Sequence, residues 1–571
     1  MKKVRPVILT LTILFVAFLA YGFLTQPNPK PVESSGFSSA RVVEDLKVIA
    51  KDNHSVAHPA ARAVVCDYLQ ARLTELGANP VLYQYDSLES RGFTFDVKDI
   101  VAEFPPKKEL KDTTYLMLVA HYDSRYPESY LRDTSVCSYG AADDGYGLGV
   151  ILECLNQSLK TREYWNQGIK VLFTDAEEPG MVGMKSIYDM DRHVFDNVGM
   201  IINVEARGPW GPALMFETSP GNEKLVNLYA HSAKSPYTYS LTTVVYKMMP
   251  NFTDFSVVKD DIPGFNFSTV ADINHYHTEL DNIDNVSEKS IQHYGAQMLP
   301  LINKYLTSEE FASKDALKAD EDLTFFTVPG LGIVKFTKTA YIVFNMILLL
   351  VFILLVVFEV LRGKSTFDKI LIGTVLSLIV GIGVLGVGEL VAYVSALVSD
   401  TPFKLFGTIR NIMGDNIIMI VSFAVLVILC TLIYLKFRAD AKRSAMNSMR
   451  SSAMTAAIHR HAYKSLFGIL FLLAILSTVC LFTIGENLMF MIPLFFATLG
   501  FMLYAMTSLK LFLLASIAFT LLHAFSFLYA LSMALTIGAL GGVMMIGFFD
   551  IMVLLPLADL YLTPVEKSSR R

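Results

Sequence analysis

Five residues of this 571-residue chain, His121, Asp143, Glu178, Glu205 and His277, form a set able to bind metal. Two imidazoles and three carboxylates suit zinc, which accepts nitrogen and oxygen ligands and, in catalytic sites, keeps one position open for water. If one carboxylate bridges, five side chains supply two metals with three protein ligands each. Two metals a few ångströms apart lower the pKa of a shared water and polarise a carbonyl together. A carboxylate beside them that is not needed as a ligand then carries the proton from that water to a leaving amine, and Glu177, adjacent to Glu178, fits this part. Taken singly, each residue has an ordinary explanation. Asp143 in Gly140-Ala-Ala-Asp-Asp-Gly could cap a helix, His277 could be a hydrogen-bonded surface residue, and Glu177-Glu178 could be a solvated turn. What joins them is position, because all five fall in loops or at strand ends.

The elements that must carry these residues are legible in outline. Residues 37–78 read as helical: Val42, Leu46, Ile49 and Ala50 give one apolar stripe, and Ala61 to Leu76 gives another, closed by Gly77. An alternating strand follows from Pro80 to Asp86. Three later segments, Tyr115–His121, Ile169–Glu178 and Met200–Glu205, share one design, a short apolar strand whose last residues turn acidic or histidine-bearing. Helical stretches lie between them, at Tyr146–Leu159 and Gly183–Met190. Strands alternating with helices predict an α/β fold with a mixed, partly parallel sheet flanked by helices. In such sheets ligands bind beyond the carboxyl ends of the strands, where these polar residues collect.

His121-Tyr-Asp123-Ser, Gly140-Ala-Ala-Asp143-Asp144-Gly-Tyr-Gly, Asp175-Ala-Glu177-Glu178-Pro-Gly and Tyr276-His277-Thr, in this order, resemble the motifs of the co-catalytic di-zinc exopeptidases. That family includes aminopeptidase Y and the bacterial leucyl aminopeptidases, with glutamate carboxypeptidase and the transferrin receptor as relatives. The resemblance covers about residues 38–305, and His58-Pro-Ala-Ala-Arg upstream is similar to the family's His-Pro segment. It implies the di-zinc exopeptidase fold, two zinc ions and a peptide substrate. Carried over by residue, it implies Asp143 as the bridging carboxylate, His121 and Glu205 completing one zinc site, and Glu178 and His277 the other. Glu177 would be the general base, and Asp123 would orient His121. One departure is Glu205, where many members have Asp. Asn251-Phe-Thr-Asp254-Phe resembles a substrate-side segment of the family. Tyr246 is a candidate for polarising the scissile carbonyl, against the alternative of an ordinary buried tyrosine. The implied activity is that of an aminopeptidase. A carboxypeptidase, a glutaminyl cyclase and a catalytically inactive, receptor-like relative are the alternatives on the same scaffold.

Composition adds a membrane. The chain is 53% hydrophobic and only 18% charged, with soluble-type sequence over residues 25–335 and long apolar runs over 336–571. A net charge of −5 gives no footing for a nucleic-acid partner, and five scattered cysteines are not a disulfide framework. The run Val7–Leu24 follows Lys2, Lys3 and Arg5 and lacks a small-residue cleavage site after it, so residues 1–24 read as an uncleaved anchor. Further spans at 340–361, 369–397, 415–436, 464–484, 488–507, 511–530 and 533–556 each approach the ~20 residues that cross a bilayer, making eight crossings in all.

Basic residues fall on alternate connections. Arg362, Lys364, Arg438, Lys442, Arg443, Arg450, Arg460, Lys510, Lys567, Arg570 and Arg571 share the side of the N-terminus, against Lys404 and Arg410 opposite. This predicts residues 25–335 outside the cytoplasm. Of Glu359, Glu389, His523, Asp550 and Asp559, Glu389 lies deepest, in a glycine-rich run that reads either as functional or as a helix contact. The arrangement resembles the vacuolar and endoplasmic-reticulum membrane metallopeptidases and their bacterial relatives, with one helix fewer than the nine usually drawn for the vacuolar form. It implies a multi-pass protein of a bacterial cell membrane or, alternatively, of a vacuolar or reticulum membrane.

Overall fold

The computed structural model describes residues 4–108, 112–127, 137–248, 251–405, 415–446 and 451–564. Lys2, Lys3, Arg410, Arg450, Lys567, Arg570 and Arg571 lie outside the described residues. Contacts divide the chain into two units, Thr25–Lys338 and Met1–Leu24 together with Thr339–Arg571. The first helix, α1 (Val4–Leu24), belongs to the second of these.

In the Thr25–Lys338 unit seven strands form one sheet: β1 (Val81–Ser90), β2 (Phe93–Phe104), β3 (Tyr115–His121), β4 (Gly168–Thr174), β5 (Val198–Ala206), β6 (Leu214–Thr218) and β7 (Gly264–Thr269). Their order is β1-β2-β4-β3-β5-β7-β6. β3 runs parallel to β4 and β5, and β5 parallel to β7, whereas β1–β2, β2–β4 and β6–β7 are antiparallel. The central strands are buried on both faces, which is why Leu116-Met-Leu-Val-Ala and Ile169-Lys-Val-Leu-Phe read as almost unbroken apolar runs. Helices cover each face. On one, α2 (Ser39–Ile49), α3 (Pro59–Glu75), α4 (Gly145–Ser158), α6 (Glu223–Ser232) and α9 (Glu288–Thr307) close a core around Trp165, Tyr294 and Phe265. On the other, α5 (Val182–Met190) and α8 (Phe255–Val258) pack over Met117, Val119 and Ile201. α7 (Ser240–Met248) lies beside β6, and β8 (Leu323–Val328) and β9 (Gly332–Thr337) form a separate hairpin.

The two apolar stripes expected over 37–78 are two helices, α2 and α3. The Ser38 hydroxyl accepts the Arg41 amide to start α2, and Pro59 sits in the first turn of α3, where its missing N–H is harmless. Strands β2, β6 and β7 and the β8–β9 hairpin carry no signal strong enough to have been read. In β2 the charged Asp96, Lys98 and Asp99 mask the alternation, although Asp99 is fully buried.

In the other unit α1 is joined by α10 (Lys338–Leu361), α11 (Phe367–Val398), α12 (Asp415–Met446), α13 (Ser451–Thr483), α14 (Leu488–Thr507), α15 (Leu511–Leu535) and α16 (Leu540–Leu562). Among the described residues, eight helices are long and apolar enough to cross a membrane, the number counted from the sequence. Their limits differ. The spans placed at 415–436 and 464–484 are the apolar parts of longer helices whose ends extend into the basic segment between them. The span placed at 533–556 straddles a break, because Thr536 adopts φ 59° and the chain makes a short turn before α16.

Small residues set these helix contacts. The Gly541 amide donates to Glu389 Oε1 at 3.1 Å, so Glu389 ties α11 to α16 where their backbones meet. At one end of α16 the Asp559 carboxylate accepts Arg438 Nε at 2.8 and 2.9 Å, and Lys510 Nζ donates to the carbonyls of Leu560 and Tyr561 at 2.6 and 2.9 Å. A Cβ on Gly388 would stand 2.5 Å from Gly541 Cα, whereas one on Gly386, in the same helix, would meet nothing within 4 Å. Gly388→Ala is therefore expected to lower the stability of the detergent-solubilised protein by ~1–3 kcal/mol and Gly386→Ala to leave it unchanged or raise it slightly, as read by thermal unfolding. Equal effects from the two variants would remove the close α11–α16 contact.

Candidate metal centre

Three neighbouring parallel strands end on one rim of the sheet. β3 stops on His121, which pairs in register with Thr174 at the end of β4. Beyond Thr174 the chain turns through Asp175, Ala176, Glu177 and Glu178, with Ala176 at φ 55°. β5 brings Glu205 to the same rim. Two connections complete the set: the turn before α4 carries Asp143, and the loop after β7 carries His277, itself at φ 60°. Such left-handed backbone in non-glycine residues costs about 1–3 kcal/mol and persists where surrounding contacts hold it.

These five side chains converge. The ligand-type atoms of His121, Asp143 and Glu205 lie within 4.8 Å of one another, as do those of Asp143, Glu178 and His277, so Asp143 is common to both groups. His121 Nε2 is 3.2 Å from Asp143 Oδ1 and 3.8 Å from Glu205 Oε2. His277 Nε2 is 3.2 Å from Asp143 Oδ2 and 3.3 Å from Glu178 Oε1. Asp143 Oδ2 and Glu178 Oε1 are buried and receive no hydrogen bond. A buried polar atom left without a partner costs about 1–3 kcal/mol. Two such carboxylate oxygens facing the His277 Nε2 atom make a donor set that fits zinc, and cation binding there would satisfy both.

The surroundings fix the set. Helix capping, the ordinary explanation for Asp143, falls to its neighbour, since Asp144 Oδ1 accepts the Gly147 amide at 3.0 Å and leaves Asp143 free to face the cluster. Asp123 touches both His121 and the acidic turn. His121 Nδ1 lies 2.9 Å from the Asp123 carbonyl oxygen and 3.4 Å from its Oδ1, while the Asp123 carboxylate accepts the amides of Glu177 and Glu178 at 2.8 and 3.2 Å. One side chain thus locks the β3 end to the acidic turn.

Sequence reasoning missed three contributors. Asp281 accepts the amides of Ala142 and Asp143 at 2.7 and 3.3 Å and the Ser138 hydroxyl at 2.9 Å, tying the His277 loop to the Asp143 turn. Arg125 Nη1 donates to Glu178 Oε2 at 2.8 Å. Asn203 Nδ2 donates to Glu205 Oε1 at 3.0 Å. The faint signals were an acid four residues beyond His277, a basic residue two beyond Asp123 and an amide two before Glu205.

Charge and burial push the groups apart. Burial lowers the His121 pKa, but hydrogen bonding to Asp123 and Asp143 outweighs it and holds the imidazole well above its usual range. Burial also raises the Glu178 carboxyl, yet His277 and Arg125 more than cancel this and hold it well below the carboxylate range. Glu177 and Glu205 are pushed well up, first by burial and then by neighbouring carboxylates, although His121 opposes the shift. Asp254, which accepts the Thr174 hydroxyl, is raised to about 6 by burial. Tyr246, on α7, packs edge-on to Phe216 with ring centroids 4.9 Å apart. Its hydroxyl is buried, and burial followed by Glu217, Glu205 and Glu177 raises its pKa, with a side-chain interaction from Thr253 opposing the shift.

Residues 99–302 match the model of Peptidase family M28. The chain is 28% identical over 237 residues to endoplasmic reticulum metallopeptidase 1 of Mus musculus, covering 41% of this chain and 26% of that protein. It is also 28% identical over 279 residues to the vacuolar membrane protease of Lodderomyces elongisporus, covering 47% of this chain and 28% of that one. The chain therefore spans about a quarter of the length of these relatives. Among solved structures, a Zn-dependent exopeptidase from Parabacteroides distasonis is 18% identical with a TM-score of 0.37, covering 47% of this chain and 98% of that one. A glutaminyl cyclase from Porphyromonas gingivalis is 17% identical with a TM-score of 0.39, covering 47% and 99%.

If Asp281 positions Asp143, Asp281→Asn is expected to weaken zinc affinity about 10–100-fold with all five ligand-type residues intact. Competition against a chromophoric chelator reads this directly, and unchanged affinity would separate Asp281 from metal binding.

Proposed function

We propose that this chain, whose residues 99–302 match the model of Peptidase family M28, is a membrane-anchored di-zinc exopeptidase that removes residues from the amino ends of peptides. One observation carries the reading: two three-residue ligand groups share Asp143, and the Glu177 carboxylate stands beside them but outside both. His121, Asp143 and Glu205 would hold one zinc ion and Asp143, Glu178 and His277 the other. When bound, the pair supplies Lewis acidity, acidifying a water and polarising the scissile carbonyl.

The remaining work falls to side chains. Glu177, its pKa raised by burial, takes a proton from the attacking water and delivers it to the leaving amine nitrogen as the C–N bond breaks. Asp123 fixes the direction of that carboxylate by holding the Glu177 amide. The Tyr246 hydroxyl donates to the carbonyl oxygen as negative charge develops on it. Glu177, Glu178, Glu205, Asp143 and Asp254 make the surroundings acidic, which favours a substrate presenting a free ammonium. Charge segregation along the spans supports the peptidase unit lying on the non-cytoplasmic side of the bilayer, with the anchor and the multi-pass segment holding it there.

The test is a defined peptide mixture incubated with the detergent-purified full chain, with products read by mass spectrometry. Wild type is expected to trim from the amino end. Glu177→Gln should lose about 10²–10⁴-fold in rate while retaining its zinc content, whereas Asp143→Asn should lose zinc and activity together. Trimming from the carboxyl end would reverse the specificity. No trimming by a zinc-loaded, folded wild type would overturn the peptidase reading.

A further inference from the structure

A row of buried polar side chains leads away from Glu205 across three adjacent strands. Asn203 on β5 pairs in register with Asn266 on β7, and Asn266 pairs in turn with Glu217 on β6. All three are at most 1% exposed. Asn203 lies two residues before Glu205 and so projects from the same face of β5. The row is joined end to end. Lys259, directly after α8, donates Nζ to Glu217 Oε1 at 2.5 Å, with 18% of its side chain exposed. Asn266 Nδ2 donates to Glu217 Oε2 at 3.3 Å and to Thr253 Oγ1 at 2.8 Å. Asn203 Nδ2 donates to Asn266 Oδ1 and to Glu205 Oε1, each at 3.0 Å.

Stability alone does not account for such a row. A buried ion pair often returns no more than its desolvation costs, and apolar side chains of similar volume would hold three strands together as well. What the row supplies is direction. The two ends of an amide have nearly the same shape, so its partners decide which way it points. Glu217, paired with an ammonium, accepts, so Asn266 turns its NH2 toward Glu217 and its oxygen toward Asn203. Asn203 must then answer with its own NH2, and its two N–H bonds reach Asn266 and Glu205. Reversing Asn203 would set its oxygen against two other oxygens. The orientation is kept although Asn203 Oδ1 is buried and receives no hydrogen bond.

We propose that Asn266, backed by the Glu217–Lys259 pair, is a positioning residue for the metal centre. It fixes the Asn203 amide, which occupies Glu205 Oε1 and leaves Oε2, 3.8 Å from His121 Nε2, as the oxygen offered to a cation. The inference rests on the di-zinc reading above and deepens it, because Glu205 belongs to only one of the two ligand groups. Asn266 therefore serves the His121–Asp143–Glu205 site and not its neighbour.

The experiment measures zinc, not turnover. The full chain in detergent is stripped of metal, and zinc is returned in competition with a chromophoric chelator that resolves two binding steps. Wild type should take up two ions. Asn266→Leu should weaken one of them about 10–100-fold, the effect of losing an outer hydrogen-bond partner, and leave the other unchanged. A general loss of structure would weaken both. Asn266→Asp keeps an oxygen opposite Asn203 but no donor toward Glu217, so it should lower the unfolding temperature and retain both ions. Should the leucine variant fail to fold, Asn266→Ser adds no bulk, draws the acceptor back from Asn203 and carries the same expectation. Both ions held at wild-type affinity after loss of the Asn266 oxygen, or both weakened equally, would reduce the row to a feature of the fold and overturn the proposal while the di-zinc reading stands. One ion lost in Asn266→Asp as in Asn266→Leu would overturn the role of the Asn266 oxygen. Wild type that binds fewer than two ions would overturn the di-zinc reading and the positioning with it.

Discussion

Asp123, Asp143, Glu177, Glu178 and Glu205 converge on one largely buried rim, and like charges so placed repel. Two carboxylates 4 Å apart oppose each other by about 4 kcal/mol at the effective dielectric of a protein surface, and by more in a drier setting. The rest of the site answers to this constraint. Arg125 is committed to Glu178, two imidazoles stand between carboxylate oxygens, and Asp123 and Asp281 spend their lone pairs on backbone amides. What these contacts leave unsatisfied, Asp143 Oδ2 and Glu178 Oε1, faces the middle of the cluster, where additional positive charge does the most good. The divergent shifts of Glu177 and Glu178 have the same origin: only Glu178 has the His277 imidazole and the Arg125 guanidinium beside it.

Such crowding is possible because the scaffold beneath it is stiff. β4, β3 and β5 are adjacent and parallel, so their carboxyl ends reach one rim and each delivers a polar residue there from a largely apolar strand. The flanking connections are then pinned to that rim by named hydrogen bonds and tolerate left-handed backbone at Ala176 and His277. The same balance of charge continues behind the turn. Asp175 is buried beside Arg62 on one side and holds the Lys98 amide on the other, so the acidic turn is anchored from behind as well as in front.

The helical unit follows the opposite rule. Its long helices keep ionisable groups few and place small residues where backbones meet, as at Gly388 with Gly541 and Gly373 with Gly468. Polar side chains that occur there serve those contacts. Glu389 accepts a backbone amide across the α11–α16 contact, and Asn487 donates to Asn345 and Ser477, joining α14 to α10 and α13.

The sequence by itself determined the kind of site and the kind of chain. Residue chemistry named His121, Asp143, Glu178, Glu205 and His277 as one set, because a motif keeps its ligands at fixed local spacings. Hydropathy counted the apolar helices, because crossing a bilayer demands a run of local composition. Apolar runs ending in polar residues exposed β3, β4 and β5 for the same reason. Long-range relationships were not legible. That β3 lies between β4 and β5, that Asp144 and not Asp143 caps α4, that Asp281 reaches back to the Asp143 turn, and that Arg62 on α3 stands beside Asp175 after β4 all join residues distant in the chain or decide between neighbours. β2 was hidden because Asp96, Lys98 and Asp99 look solvent-facing until Asp99 finds the Asp175 amide. Local sequence fixes which groups are available, whereas pairing of backbone and burial of charge, which depend on what folds alongside, decide which of them meet.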